Sequence, residues 1–127
     1  MTVTSILGNT RRADISFFSS GRIDITSRIV KALALRSGDV IDIMRSGKEF
    51  YLYIAHRSAE LCGRHEAQCY PSKRGGRHFR GYSHRLCEAI LKECGELHRA
   101  NLAAGMVTEI NGYVAVCLIT RNNISKS

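Results

Sequence analysis

The chain has 127 residues, 44% of them hydrophobic, which is enough for one small domain with a packed core. No apolar run approaches the roughly 20 residues of a membrane-spanning helix, so we expect no membrane insertion. The first residues lack the basic start and apolar stretch of a secretory signal, and we therefore expect a cytoplasmic protein.

The net charge of +8 is unevenly distributed along the chain. Residues 1–57 carry +4, residues 58–85 carry another +4, and residues 86–127 carry no net charge. The middle segment therefore holds half of the excess in under a quarter of the chain. Such a segment suits a polyanionic partner, because Lys and Arg neutralise phosphates and release counterions. A solvated surface that keeps the protein soluble is the other explanation of the same charge.

Five elements are predicted in the first half of the chain, after a polar, flexible arm over residues 1–13. They are strand, strand, helix, strand and strand, over 15–18, 22–25, 27–36, 40–44 and 50–55. Thr26 and Ser27 are both able to cap the helix, and Gly38 is expected to supply the left-handed residue that ends it. The apolar face of this helix consists of Ile29, Val30 and Leu33.

The second half predicts the same order of elements after an irregular segment that extends from about residue 56 to residue 76. They are strand, strand, helix, strand and strand, over 67–70, 77–82, a helix from 84, 104–110 and 113–119. Ser83 is the expected N-cap of this helix, and Asn111-Gly112 is a strong hairpin signal. The tail over residues 122–127 is polar and expected to be flexible.

The two halves also align in sequence. Residues 26–33 match residues 83–90 without a gap, with a cap, an arginine and three apolar positions in common. We therefore predict one barrel domain over residues 14–121, built from repeat one (14–57) and repeat two (67–121). A strand–helix–hairpin unit of about 40 residues buries too little surface to fold alone, so each copy is expected to pair with the other.

Residues 15–55 contain a family-like pattern. Gly21-Arg22 begins a short strand, a capped helix ends in Leu33-Ala34-Leu35, and Gly38-Asp39 precedes the next strand. This pattern resembles the AbrB/MazE superfamily, also called SpoVT-AbrB, of swapped-hairpin DNA-binding domains. Two such copies in one chain would resemble the double-psi barrels. The resemblance implies a mainly β, α+β fold with two short helices, in which two ββαβ-type repeats form a swapped-hairpin or double-psi-like β-barrel.

The resemblance also implies contacts to DNA. Arg22 and Lys31 fall where family members carry basic contact residues, and Arg28 lies nearby on the same helix. Arg77 and Arg85 would be the equivalents in the second copy. The chain departs from the family pattern at Thr26, where Pro is usual, and at Asp24, where an aliphatic residue is more usual and where the carboxylate adds a negative charge beside Arg22.

The run over residues 73–82 mixes four cations with two aromatic residues and three glycines. Glycines let the backbone approach phosphate, cations neutralise phosphate, and Phe79 or Tyr82 is able to stack on a base. The alternative is a basic hairpin whose aromatic side chains pack inward. With the residues implied by the resemblance, the candidate nucleic-acid contacts are Arg22, Arg28, Lys31, Lys73, Arg74, Arg77, Arg80 and Arg85.

Chemistry beyond binding has little support in the sequence. Cys62, His65 and Cys69 are candidate zinc ligands, but their spacing matches no familiar finger pattern, and free thiols are the other explanation. Asp39 and Asp42 are the best carboxylates for a Mg²⁺-dependent nuclease, although a loop and a strand edge explain them better. No hydrolase, phosphate-loop or metalloprotease motif is present, so we expect no enzyme activity and no cofactor.

The leading hypothesis is therefore a non-enzymatic, AbrB-like DNA-binding protein, a transcriptional regulator whose partner is the DNA phosphate backbone, present as a monomeric pseudo-dimer or as a homodimer. One alternative is a protein-interaction β-barrel that does not bind nucleic acid, which Arg22 and Arg77 on opposite faces would favour. A further alternative is a small barrel enzyme or ligand-binding protein, which a deep polar pocket lined by His and Asp would favour.

Overall fold

The computed structural model describes residues 13–73 and 77–120. It confirms the prediction of a mainly β chain with two short helices. The elements are β1 (Ile15–Phe18), β2 (Arg22–Ile25), α1 (Ser27–Leu33), β3 (Val40–Ser46), β4 (Glu49–His56), β5 (Tyr70–Pro71), β6 (Phe79–Tyr82), α2 (His84–Cys94), β7 (Arg99–Ile110) and β8 (Tyr113–Ile119), with a single 3-10 turn at Ser58–Glu60. Residues 1–12 of the predicted arm, the predicted tail 122–127 and the candidate contact Arg74 lie outside the described residues.

The eight strands form one curled antiparallel sheet in the order β3-β4-β8-β7-β1-β2-β6-β5. The segment Ala67–Cys69 connects the two ends of this order. The Gly38 amide donates to the Cys69 carbonyl at 2.7 Å, the Cys69 amide donates to the Asp39 carbonyl at 2.8 Å, and the Ile41 amide donates to the Ala67 carbonyl at 3.1 Å. The chain just before β5 is thereby hydrogen-bonded to the start of β3.

Strand pairing relates the two halves of the chain. Each half has the order strand, strand, helix, strand, strand. The second strands of the two halves, β2 and β6, pair with each other, and so do the fourth strands, β4 and β8. The third strand β7 pairs with β1, and the third strand β3 bonds to the segment before β5. The third strand of the second half therefore pairs with the first strand of the first half, and the third strand of the first half contacts the segment before β5 through an isolated bridge. The repeat bounds 14–57 and 67–121 remain a prediction.

The helices of the two halves begin with similar ion pairs. Arg28 lies 3.8 Å from the carboxylate of Asp14, which precedes β1. Arg85 lies 2.7 Å from the carboxylate of Glu66, which precedes the segment before β5. These arginines are the ones that the gap-free alignment of residues 26–33 with 83–90 superposes. The same local arrangement thus occurs at both helix starts.

The core lies between the concave side of the sheet and the two helices. Alternate residues of β1 and β2 are fully buried, which is the period-2 pattern of strands with one wet face. Each such Ile or Phe contributes roughly 1.5–3 kcal/mol on burial. The main buried side chains of the two helices are Ile29, Val30 and Leu33 of α1 and Cys87, Ile90 and Leu91 of α2.

Helix α1 ends earlier than its sequence predicts. Its left-handed C-terminal residue is Ala34, with φ of 54°, and the prediction that Gly38 has this role is wrong. The early exit lets Leu35 become buried, while its amide donates to the Val30 carbonyl at 2.9 Å. Gly38 instead adopts φ of 89° in the next turn, where an added Cβ would lie 2.6 Å from the Ser58 hydroxyl.

The two predicted helix caps differ in the structure. The Ser83 hydroxyl accepts a hydrogen bond from the Leu86 amide at 3.1 Å, which confirms the cap of α2. Thr26 occupies the N-cap position of α1, but its hydroxyl donates to the Asp14 carbonyl at 2.8 Å and bonds no helix amide. Thr26 therefore links α1 to the start of β1. In the described part of the chain, no helix has the length and hydropathy needed to cross a membrane.

Candidate nucleic-acid interface

Strand alternation places a patch of polar and aromatic residues on the convex side of the sheet. Because the buried residues of β1 and β2 point inward, their neighbours point outward. Cross-strand register arranges these neighbours in two rows, which together we call the outer face. The first row is Arg99, Phe18, Arg22 and Tyr82, and the second is Asn101, Ser16, Asp24, Arg80 and Tyr70.

In the first row, the Phe18 ring lies between two guanidinium groups. The Cζ atom of Arg22 is 4.1 Å from the ring centroid, and that of Arg99 is 5.1 Å away. The Arg99 Nε also donates to the Asn101 side-chain oxygen at 2.8 Å. Cation–π contacts of this kind stabilise a charged side chain against a flat surface. Two positive charges are therefore held in place on the outer face.

In the second row, Asp24 lies between two arginines. Arg80 Nε donates to the Asp24 carboxylate at 2.8 Å, and Arg22 Nε lies 3.4 Å from its other oxygen. The hydrogen bond to Asp24 raises the pKa of Arg80, so this guanidinium stays charged at every relevant pH. Asp24 neutralises part of the positive charge that Arg22 and Arg80 bring to the outer face.

A cleft of about 770 Å³ opens at the β5–β6 edge of the outer face. Arg64, Lys73 and Arg80 supply positive charge, and no Asp or Glu is found among the described residues that line it. Tyr70 and Tyr82 are 49% and 58% exposed at its border. The remaining lining residues are His65, Gln68, Pro71 and Ser72. This cleft is within the size range of small-ligand sites.

The structure brings only some of the predicted contact residues together. Arg22 and Arg80 lie on the outer face, and Lys73 lines the cleft. Arg77 is exposed in the turn before β6, at the opposite end of the β2–β6 pair from Arg22. Lys31 is exposed on α1, away from both rows.

Two predicted contact arginines are engaged by carboxylates at the helix starts. Arg28 is 62% exposed but lies 3.8 Å from Asp14. Arg85 binds Glu66 through both Nε and Nη2. Hydrogen bonds from Arg85 and from Ser83 lower the pKa of Glu66 to about 2. Arg85 therefore has a structural partner in the chain itself.

Several residues of this interface were not among the predicted contacts. Phe18, Arg99, Tyr70 and Arg64 all lie on the outer face or in the cleft. The position of Phe18 could be predicted from strand alternation: Ile15 and Phe17 are buried, so the side chain of Phe18 points to the opposite face of β1. Arg99 was missed because β7 begins five residues before its predicted start at residue 104.

The three candidate zinc ligands do not form a site. Cys69 is buried, its thiol lies 3.5 Å from the Ala67 carbonyl, and burial raises its pKa to about 12. Cys62 is exposed, and the His65 ring contacts the Cys62 carbonyl at 2.9 Å rather than its sulfur. Within residues 13–73 and 77–120, no group of three or more His, Cys, Asp or Glu side chains is arranged to hold a metal ion.

Asp39, one of the two candidate Mg²⁺-binding carboxylates, has a structural role instead. Asp39 is fully buried and accepts hydrogen bonds from Arg57 Nη1 and from the amides of Ser58 and Arg36, each at 2.8 Å. Arg57 Nη1 also donates to the Ala34 carbonyl at 2.7 Å, so it joins the end of α1 to this carboxylate. Asp39 is therefore a structural anchor for the chain around the end of α1.

A second cavity, of about 360 Å³, contains the His and Asp that an enzyme or ligand site would need. His56, Asp42, Glu66 and Arg85 contribute to its lining. Glu66 is already bound by Ser83 and Arg85, and Asp42 accepts a hydrogen bond from the Tyr53 hydroxyl at 3.3 Å. Because its carboxylates have partners within the protein, this cavity offers weaker support for a ligand than the cleft does.

Comparisons with known proteins give no relative. A scan against protein-family models produces no match, and searches of curated proteins and of solved structures produce none either. The outer face and the cleft are therefore the features of the molecule that bear on its function.

Proposed function

We propose that this protein is a non-enzymatic DNA-binding protein of the AbrB-like, swapped-hairpin type, acting as a transcriptional regulator. The observation that carries the proposal is the charge of the outer face and the cleft. Together the outer face and the cleft carry five cations (Arg22, Arg64, Lys73, Arg80 and Arg99) and, among the described residues placed there, one carboxylate, Asp24.

Phosphate neutralisation is the physical basis of this binding. A net excess of four charges suits about four phosphates, which gives a slope of roughly −3.6 in log K against log salt for duplex DNA. Affinity would then fall roughly a hundredfold between 50 and 200 mM salt. The arginines held against Phe18 need no ordering on binding, because their side chains are already fixed on the sheet.

The exchange of third strands between the halves supports the AbrB-like part of the proposal. Interleaved copies in that superfamily would need such an exchange. Within this one chain, β7 pairs with β1, and β3 bonds to the segment before β5. The family-like residues 21–43 lie on β2, α1 and the start of β3. We therefore favour a pseudo-dimeric barrel of the swapped-hairpin or double-psi type.

The test is a titration of fluorescently labelled duplex DNA by anisotropy at several salt concentrations. Arg99→Ala is expected to weaken binding and to reduce the slope by about 1. Arg45→Ala is the matched control, because Arg45 also packs over a phenylalanine, Phe50, at 5.4 Å, but on β3 in the other half of the sheet. No binding at low salt, or a slope near zero, would overturn the proposal.

A protein-interaction module is the second candidate, and one observation favours it. The β7–β8 hairpin exposes Met106, Val107, Tyr113 and Val114, and Met106 is 89% exposed. Exposed apolar patches often mark contact sites for other proteins. Concentration-dependent sedimentation that a Met106→Ser/Val114→Ser variant abolishes, in a protein without measurable DNA binding, would support this candidate over the first.

A further inference from the structure

Two exposed tyrosines border the cleft at its junction with the outer face. Tyr82 is on β6 and Tyr70 on β5, and the register pairs Tyr70 with Arg80, which is two residues from Tyr82. This diagonal relation brings such side chains to within about 7–8 Å of each other. Tyr70 is 49% exposed and Tyr82 is 58% exposed. Two solvent-exposed aromatic residues therefore lie near each other at the border of the cleft.

Two of the three cations that line the cleft are available to a ligand, since the third, Arg80, is bonded to Asp24. Arg64 and Lys73 are exposed, and neither makes an ion pair with another described residue. The Ser72 hydroxyl in the cleft wall is shielded from solvent and makes no hydrogen bond within the described ranges, so its hydrogen-bonding capacity is unused. Positive charge and polar groups thus lie beside the two aromatic rings.

This combination fits an unpaired nucleotide better than a duplex. Every base has a π-face that is able to stack on an aromatic ring, but in a duplex those faces are covered by neighbouring bases. A duplex would use only the charges. Exposed tyrosines next to unpaired cations are the arrangement that binds single strands, with the bases on the rings and the phosphates on the Lys and Arg side chains.

We propose that the cleft binds single-stranded nucleic acid, with bases stacked on Tyr70 and Tyr82 and a phosphate held by Arg64 and Lys73. This inference rests on the proposed nucleic-acid function and specifies which form of nucleic acid the site accepts. The outer face continues the same path through Arg80 and Arg22 toward Phe18. A strand lying along it would cross from the cleft to β1.

The test compares three labelled ligands by fluorescence anisotropy: a mixed-sequence 15-mer single strand, its duplex, and an abasic single strand of equal length. The single strand is expected to bind more tightly than the abasic strand. Tyr70→Ala and Tyr82→Ala are each expected to weaken binding of the single strand by about 5- to 150-fold, and to change duplex binding less than about twofold. Tyr113→Ala is the matched control, because Tyr113 is 42% exposed on β8 in the other half of the sheet.

A second set of variants separates the charges from the rings. Arg64→Ala and Lys73→Ala are each expected to reduce the salt slope for the single strand by about 0.7, whereas Lys48→Ala in the exposed β3–β4 turn leaves it unchanged. Equal affinities for the normal and abasic strands, or tyrosine variants that change neither ligand, would overturn the inference. If duplex binding with its salt slope survives such a result, the proposed function stands; if the duplex does not bind at low salt, the proposed function itself fails, whichever single strand binds.

Discussion

Neutralising Asp24 should strengthen binding, because this carboxylate occupies two arginines on the outer face. Asp24→Asn keeps the shape of the side chain but removes the charge between Arg22 and Arg80. A phosphate that contacts Arg80 would lie roughly 6 Å from the carboxylate, where repulsion across water is about 0.7 kcal/mol. Removing this repulsion should tighten binding about threefold. Each arginine that is released to a further phosphate should make the salt slope steeper by about 0.9.

The assay is the same anisotropy titration between 50 and 200 mM salt. If Asp24→Asn gains one phosphate contact, its affinity should fall by a factor about 3.5 times larger than that of the unsubstituted protein over this salt range. Asp42→Asn is the control, because it makes the same change of charge on β3, in the other half of the sheet. Since both carboxylates are partly exposed, each variant should lose no more than about 1 kcal/mol of stability. Unchanged affinity and slope in Asp24→Asn, or an equal gain in Asp42→Asn, would refute the reasoning.

Three further predictions concern stability and reactivity. Gly81→Ala should lower the free energy of unfolding by about 1–3 kcal/mol in urea titrations, because the added Cβ would lie 2.9 Å from the Cys69 sulfur. Gly105→Ala, whose added Cβ would have its nearest contact at 3.6 Å, should lower the free energy of unfolding by less. Glu66→Gln should reduce stability by up to about 1 kcal/mol at neutral pH. Because folding lowers the pKa of Glu66 from 4.5 to about 2, this contribution is present above pH 4.5 and disappears as the pH falls to about 2, and a difference that persists at pH 2 would contradict it. Cys62 should react with a thiol reagent in the folded protein, whereas Cys69 should react only on unfolding, since burial raises its pKa to about 12.

Elements with strong local signals could be predicted from the sequence. The Asn111-Gly112 turn has φ values of 51° and 83°, as a tight hairpin turn requires, and it joins β7 to β8 as expected. Ser83 caps α2 because its hydroxyl reaches an amide only three residues away. Interactions of this range depend on residue types at fixed spacing, which a sequence displays directly.

The contacts between the start of β3 and the segment before β5 are of a different kind. The segment 67–69 had a strand-like composition, but its bonds to residues 38–41 join positions about 30 residues apart. Likewise, the end of α1 is determined by the burial of Leu35 and by a hydrogen bond from Arg57, and not by the glycine that follows in the chain. Local propensity does not report such tertiary partners.

In the candidate site, too, the local features could be predicted from the sequence and the long-range contacts could not. The basic and aromatic character of residues 73–82 was evident, whereas the position of Arg99 beside Phe18 follows from the pairing of strands about 80 residues apart. The engagement of Arg85 by Glu66 likewise appears only when the segment before β5 is placed against α2. Charge alone could identify the arginines but could not tell which of them have partners within the chain.

The joining of both halves in one chain gives the outer face a direction. A homodimer repeats every contact about its two-fold axis, so its binding surface is the same from either side. Here the two sides of the β2–β6 pair carry unlike residues, with Phe18 and Arg99 on one side and Tyr70 and Lys73 on the other. A nucleic-acid strand crossing this surface from 5′ to 3′ would meet the arginines first in one orientation and the tyrosines first in the other. If the protein binds nucleic acid as a monomer, as proposed, this surface would suit an asymmetric target rather than a palindrome.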